Sequence, residues 1–440
     1  MDTKKIKEIF AGQILLIKPS EKELCRVAEI TAEFSALLNS ELKKAKIKAE
    51  AFVGGSLAKD TIIRKTERYD IDVFVRFDYS RYKEKSNQLS ELLAKVLEKI
   101  AKKGVKIKRI HGSRDYFNLI YKNTFIEIVP ILEIKKASQA LNITDISPLH
   151  VSYVINKVSK NKKLADEIRL AKTFCYVQGC YGAESYIRGF SGYSLEVLCI
   201  YFGSFLNLLK AAAKWNPEKK IIIDPAKHYK NKNDVLVLLN ESKLISPLIL
   251  IDPVQKERNV TAALSSETFL LFLKSAHDFM KKPSNEFFKV KIDMSLDLKK
   301  IAKAKKAEFC TFVIESISDR LDIAGAKSLR LANFLINLMK KTGFAVLESK
   351  FFFDIVKNKG FLHVIYKKPL AKLEISGPPI EMKKHADSFK AKYGKTFSKK
   401  GKIFAIIARK VRNPEDLLKE LRKYSRETKE MLIKKISIEK

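Results

Sequence analysis

The segment Asp70-Ile-Asp-Val-Phe-Val-Arg-Phe77 constrains the fold most. It reads as a strand, where successive side chains turn to opposite faces, so Asp70 and Asp72 project from one face while Ile71 points into a core. Two neighbouring carboxylates repel unless a cation sits between them. Hard oxygen ligands select Mg²⁺, particularly where substrate phosphates supply further ligands. Glu127, inside the apolar run Phe125-Ile-Glu-Ile-Val129, is the candidate third carboxylate, because an acid between branched residues at a strand centre needs a reason. The alternative for Glu127 is an ordinary strand acid facing solvent.

Upstream, Lys46 to Val53 alternates as a strand and runs into Gly54-Gly55-Ser56, with Lys59 and Thr61 following. Backbone amides of such a turn, with the Ser56 hydroxyl, suit a triphosphate. Glycine-serine turn, Asp-x-Asp strand and a further strand acid form an ordered set. It is the set that two-metal nucleotidyl transfer requires, one metal activating a 3′-hydroxyl and the other neutralising the leaving pyrophosphate.

Leu24, Val27, Ile30, Phe34, Leu37 and Leu42 predict an amphipathic helix before this unit, and Leu89 to Ile100 a second one within it. Strands are expected at Tyr116 to Tyr121 and Thr124 to Leu132, joined at Lys122-Asn123. Residues 1–135 therefore read as a palm-like mixed sheet with helices. Residues 136–280 read as a helical domain, with helices at Ser152 to Lys160, Lys163 to Gln178 and Ser191 to Ala213. Residues 281–440 read as an α/β body with a basic tail, from Phe309 to Ile314, Ala326 to Lys341, Ala345 to Val356 and Phe361 to Tyr366. The fold class is α+β.

At 440 residues the chain is long enough for two to four domains of roughly 100 to 200 residues each. Lys and Arg number 86 against 50 Asp and Glu, a net charge of +36 that recruits polyanions and makes nucleic acid the leading partner. The last 60 residues carry a net +11, where an even share would be about +5. That excess is either a phosphate-contacting face or a solvated charge run. Five cysteines spread thinly exclude a disulfide framework, predict a reducing cytoplasmic setting, and lack the spacing of a zinc site. Ile14 to Ile17 is too short for a signal peptide, and Val197 to Leu209, bordered by Glu196, falls short of a membrane span and reads as a buried helix.

Gly55-Ser56 with Asp70-x-Asp72 resembles the nucleotidyltransferase superfamily of DNA polymerase β type, which includes poly(A) polymerases. Asp145-Ile-Ser-Pro-Leu-His150, Tyr181-Gly-Ala-Glu184, Arg188-Gly-Phe-Ser-Gly-Tyr193, Asp252-Pro-Val-Gln-Lys-Glu-Arg-Asn259 and Pro283-Ser-Asn-Glu-Phe-Phe288 resemble, in that order, the class I, archaeal CCA-adding enzymes. The match is good to about residue 290 and looser beyond, at Gly377-Pro378 and a strand from Lys402 to Glu415. The resemblance implies an enzyme that adds C, C and A to the tRNA 3′ end without a nucleic-acid template, using one site for CTP and ATP. It places Gly55, Ser56 and Lys59 at the triphosphate, two Mg²⁺ on Asp70, Asp72 and Glu127, and His150, Lys172 and Tyr181 at the incoming nucleotide. Arg258 would read the base edge together with tRNA phosphates, as its rigid fork of donors suits.

Three positions depart from the family pattern: Lys59 stands for the usual Arg, Asp70 for a frequent Glu, and Glu127 for the usual Asp. The first exchanges a bidentate grip for a point charge. The implied partner is tRNA, with a homodimer left open and no membrane. A poly(A) polymerase-like terminal transferase and an inactive RNA-binding relative are the competing readings; intact Asp70 and Asp72 argue against the second.

Overall fold

The Asp70 strand is an interior strand of a mixed sheet in a computed structural model, which describes all residues except 1–2, 65–68, 103, 290–293, 319, 356 and 440. The sheet is built from Ala49–Val53 (β1), Asp70–Asp78 (β2), Ile107–Ile110 (β3), Tyr116–Tyr121 (β4) and Thr124–Glu133 (β5). Their order is β1-β2-β5-β4-β3. β2 and β5 run parallel and the other neighbours antiparallel, which bears out the mixed sheet. Strand alternation sorts the two faces. Ile71, Val73, Val75 and Phe77 of β2 and Ile126, Ile128 and Leu132 of β5 pack with Phe34 and Leu38 of helix Glu21–Lys44 and Leu93 and Leu97 of helix Leu89–Ala101. The first of these helices starts at a reciprocal capping box between Ser20 and Glu23. On the other face, Phe74, Val129 and Ile131 pack against Val151 of helix Ser147–Lys160, which leaves the acidic end of that face uncovered by this apolar cluster.

A second core holds Phe174, Phe190, Phe205, Phe269, Phe272 and Phe279, on helices Lys163–Val177, Phe205–Ala212 and Ser266–Lys281 and the loop before Gly192–Phe202. The single helix expected over Ser191 to Ala213 is in fact two, Gly192–Phe202 and Phe205–Ala212, bent by 92°. Gly203 takes φ +76°, a left-handed cap, and the Ser204 hydroxyl accepts from the Asn207 amide to start the next helix. Among the described residues no single helix is long and apolar enough to cross a membrane. Helix Thr3–Ile17, which was not expected from the sequence, adds Ile6, Ile9, Phe10 and Ile17 to this core. Ile221–Ile223 (β6) and Leu248–Leu250 (β7) form a parallel pair, and beyond β7 an antiparallel bridge joins Ile251 to Asn259.

The chain divides into two units at residue 290. In the second, Glu308–Ser316 (β8), Ala345–Asp354 (β9), Lys359–Lys367 (β10), Lys372–Pro379 (β11), Thr396–Lys399 (β12), Lys402–Ala408 (β13) and Ile433–Glu439 (β14) form two antiparallel sheets, ordered β14-β8-β10-β9 and β11-β13-β12. Helix Leu321–Lys341 buries Leu331, Leu335 and Met339 against Phe312 and Val364. The basic last 60 residues are folded throughout most of their length, since β12, β13, helix Pro414–Leu421 and β14 all lie within them. The strand expected to reach Glu415 stops at Ala408, because Asn413 caps the following helix by accepting from the Asp416 amide at 2.8 Å. β9 ends at Asp354, and Val356, the expected end, lies outside the described residues.

Candidate active site

Parallel register sets Asp72 directly beside Glu127, with Asp70 one pleat away on the same face. Asp70 is exposed; Asp72 and Glu127 are half-buried. Burial pushes the Asp72 carboxyl up, and Asp70 adds to it, while Lys59 and Lys172 pull the other way. Glu127 is pushed up to about 7 by burial and by Asp72 and Asp70, with no basic group offsetting them. The turn before the site is fitted to this row. The Gly54 amide donates to the Asp72 carbonyl at 2.8 Å, and Gly55 takes φ +60°. A Cβ at Gly55 would lie 1.6 Å from Asp72 Oδ2, so only glycine lets the turn that carries Ser56 run against the carboxylate.

Among the described residues, no three His, Cys, Asp or Glu groups come together in a way that could hold a metal ion by themselves. The donor set fits a Mg²⁺ of the kind that takes one or two carboxylates and completes its octahedron with water and substrate phosphates. Excess negative charge at Asp72 and Glu127, with their carboxyls raised above the ordinary range, is what such an ion would relieve.

Beside Asp72 lies a buried ionic cluster. Glu196 is fully buried; its Oε2 accepts from Lys59 Nζ at 2.7 Å, and its Oε1 accepts from Lys172 Nζ at 2.8 Å and Thr61 Oγ1 at 3.0 Å. Burial opposes the Glu196 charge, but the two lysines overcome it and hold the carboxyl well below the usual range. Burial likewise pulls Lys172 down and Glu196 pushes it back. A Cβ at Gly192 would meet the Tyr181 hydroxyl at 3.1 Å and Lys172 Cε at 3.7 Å, which places Tyr181 next to this cluster.

His150 and Arg258, 108 residues apart, converge on Asp252. His150 Nε2 lies 2.8 Å from Asp252 Oδ2, Arg258 Nη1 donates to the same oxygen at 3.4 Å, and the Tyr193 hydroxyl donates to Oδ1 at 3.1 Å. The short contact requires the imidazole proton on Nε2. Arg258 Nη1, 3.3 Å from that nitrogen, therefore bonds the carboxylate and not the ring. The Tyr193 ring stacks on His150 at 4.2 Å between centroids. Burial lowers the His150 pKa more than Asp252 raises it, so the ring is neutral near pH 7. Lys59 acts electrostatically on both Asp72 and His150, so the lysine cluster lies within reach of both the carboxylates and the histidine cluster.

All ten residues singled out in the sequence lie in the first unit. Sequence reasoning assigned no role to Glu196, Asp252, Tyr193 or Thr61. Glu196 did leave a signal, as a lone acid at the edge of an apolar run, and a buried acid requires cations. Which of 86 basic residues supply them is set by the fold alone.

A strand-borne acid pair, a lateral third acid and a Gly-Ser turn packed on them define a nucleotidyltransferase of polymerase-β type. Family comparisons agree: residues 5–150 match the Second Messenger Oligonucleotide or Dinucleotide Synthetase domain, residues 166–289 the second domain of tRNA nucleotidyltransferase, and residues 328–437 the C-terminal domain of the CCA-adding enzyme. The CCA-adding enzyme of Nanoarchaeum equitans (strain Kin4-M) is 37% identical over 360 residues, covering 81% of this chain and 83% of its own. That of Methanocaldococcus jannaschii is 32% identical over 385 residues, covering 84% and 80%. Among solved structures, Cid1, described as having RNA terminal uridylyl transferase activity, aligns with a TM-score of 0.52 and 12% identity over 66% of this chain and 100% of its own, a likeness of fold. The chain belongs to the archaeal CCA-adding enzymes.

Proposed function

We propose that the chain adds C, C and A in turn to the 3′ end of tRNA from CTP and ATP, with release of pyrophosphate and no nucleic-acid template. The observation that carries this reading is the lateral Asp72–Glu127 pair with the Gly55 turn seated on it, in a chain whose relatives are CCA-adding enzymes. Asp70, Asp72 and Glu127 would hold two Mg²⁺, which when bound supply the charge that activates a 3′-hydroxyl and neutralises a leaving pyrophosphate. Ser56 and Lys59 bind the triphosphate, with Lys172 behind Lys59. Tyr181 and His150 bound the nucleotide pocket.

Arg258 reads the base. Cytosine and adenine each present an exocyclic amine beside a ring-nitrogen acceptor, whereas uracil and guanine place a carbonyl where the amine would be. A guanidinium with N–H groups fixed by Asp252 donates to the ring nitrogen, and phosphates of the tRNA accept from the amine. The C-terminal basic region lies on the tRNA backbone. A tRNA lacking its 3′ CCA tests the reading. With Mg²⁺ and CTP alone it should gain two C residues and stop; addition of ATP should then add one A. Runs of a single nucleotide, or incorporation of UTP, would contradict it.

A further inference from the structure

The turn that follows Lys59 closes without a glycine. Helix Gly55–Ala58 ends with the Asp60 amide donating to the Leu57 carbonyl at 3.1 Å and the Thr61 amide to the Ser56 carbonyl at 2.9 Å, and Asp60 takes φ +50°. This is the left-handed helix ending that glycine usually supplies, so a residue with a Cβ is held there at a cost. What holds it is Arg169, on helix Lys163–Val177, whose side chain is 0% exposed. Its Nε donates to the Ile62 carbonyl at 2.9 Å, Nη2 to Asp60 Oδ1 at 2.6 Å and Nη1 to Asp166 Oδ1 at 2.7 Å. One guanidinium therefore grips the chain on both sides of Thr61. Asp166, one turn back on the same helix, is the counter-ion that a buried arginine requires. Asp60 has no such need of a partner: its side chain is 61% exposed and water would satisfy it, so its bond to Arg169 serves the turn.

We propose that Arg169 is a positioning residue for the nucleotide triphosphate: by bonding Asp60 and Ile62 together it fixes the turn from which Lys59 and Thr61 project, and so sets where the Lys59 ammonium lies. A lysine is a point charge on a flexible four-carbon stem, so its placement begins with its backbone. Lys59 immediately precedes the left-handed residue, and its Nζ must reach Glu196 Oε2 at 2.7 Å while Thr61 Oγ1 reaches the other oxygen at 3.0 Å. Both contacts fail if the turn rotates. Only an arginine can hold it in this way, because three acceptors in different directions call for a rigid fork of donors.

This inference rests on the reading that Lys59 meets the triphosphate, and the two can fail separately. Asp60→Gly and Asp60→Asn both accept a left-handed φ and both remove one negative charge, but only Asn keeps an oxygen for Arg169. Arg169 retains Asp166 in either variant, so no buried charge is left unpaired. If Asp60 merely ends the helix or contributes charge, the two variants bind CTP alike. Under positioning, Asp60→Gly binds CTP about 10-fold more weakly, on the order of one charge-assisted hydrogen bond, while Asp60→Asn stays within about threefold of the wild type. Arg169→Lys keeps the charge and loses the fork. It should match Asp60→Gly, and the double variant should bind no more weakly than either alone, because both cut the same link. Calorimetric titration of CTP with Mg²⁺ into the full chain reads these affinities, with the melting temperature confirming that each variant is folded; the Asp60 pair decides the matter should Arg169→Lys not fold. Turnover of Asp60→Gly at saturating CTP should stay within about twofold of wild type, because the turn acts in binding. Equal affinities of Asp60→Gly and Asp60→Asn, losses that multiply in the double variant, or a fall in turnover with unchanged affinity would overturn the inference. Should Lys59→Met bind CTP as the wild type does, the placement of Lys59 at the triphosphate fails instead.

Discussion

Glu127 sits where its charge is resisted. Its carboxyl is pushed up to about 7 from an ordinary 4.5 by burial and by Asp72 and Asp70. Between those values the folded chain keeps a proton that the unfolded chain has released. Stability from this group is thus fully present below about pH 4.5 and is lost as the pH rises towards 7. A divalent cation held by Glu127 would bind the ionised form and reverse the loss. Added Mg²⁺ should accordingly raise the melting temperature more at pH 8 than at pH 5 in scanning calorimetry; an equal rise at both would remove Glu127 from the metal site. Arg258 invites a test of selection. Single-nucleotide incorporation by Arg258→Ala at saturating tRNA should reduce the preference for CTP over UTP by roughly 5- to 150-fold, since an unpaired polar partner costs about 1 to 3 kcal/mol. A slower enzyme with unchanged preference would mean that Arg258 grips phosphate only.

At the scale of elements, the site depends on register. A slip of one residue between β2 and β5 would turn Asp72 or Glu127 to the face where Ile71, Val73 and Ile128 are buried. The turn is equally exacting, because Gly55 has both φ +60° and Asp72 Oδ2 in the place of a Cβ. Gly55→Ala should therefore lower nucleotide addition at least 10-fold while the chain stays folded, for either the turn or the carboxylate must move; retained activity would show that the turn does not position Asp72. The carboxylate strand, its glycine turn and Glu127 were legible in the sequence because period-two alternation and a Gly-Gly-Ser break are local signals. The break at Gly203 was not read, since the run around it is apolar enough for one buried helix and masks the local Gly203-Ser204 signal that ends one helix and caps the next. β3 was also missed: its four residues carry two basic ones, and it is a strand because β4 is beside it. Asp252 and Glu196 escaped for a third reason. Their partners lie up to 137 residues away, and long-range ion pairs have no local pattern.

For the whole molecule the governing quantity is +36 of net charge. Neutralised phosphates release counterions, so tRNA affinity should fall steeply with salt. Removing the C-terminal segment is a poor probe, because β14 pairs with β8 and a cut at Ser376 would fall inside β11. Replacing exposed Lys383, Lys384, Lys395 and Lys400 with Gln keeps those strands. If they lie on tRNA phosphates, the slope of log affinity against log salt should shrink by about 3, with CTP affinity unchanged. Equal slopes would mean that these lysines are merely solvated. The central claim is that one site, built on Asp72 and its neighbours, writes a defined three-nucleotide end without a template. Its most direct test is to incubate wild-type protein and Asp72→Ala with Mg²⁺, CTP, ATP and a tRNA lacking its 3′ CCA, then sequence the product ends. The account predicts CCA ends from the wild type and unextended ends from a folded Asp72→Ala protein. CCA addition by Asp72→Ala at near wild-type rate, or any other end from the wild type, would contradict it.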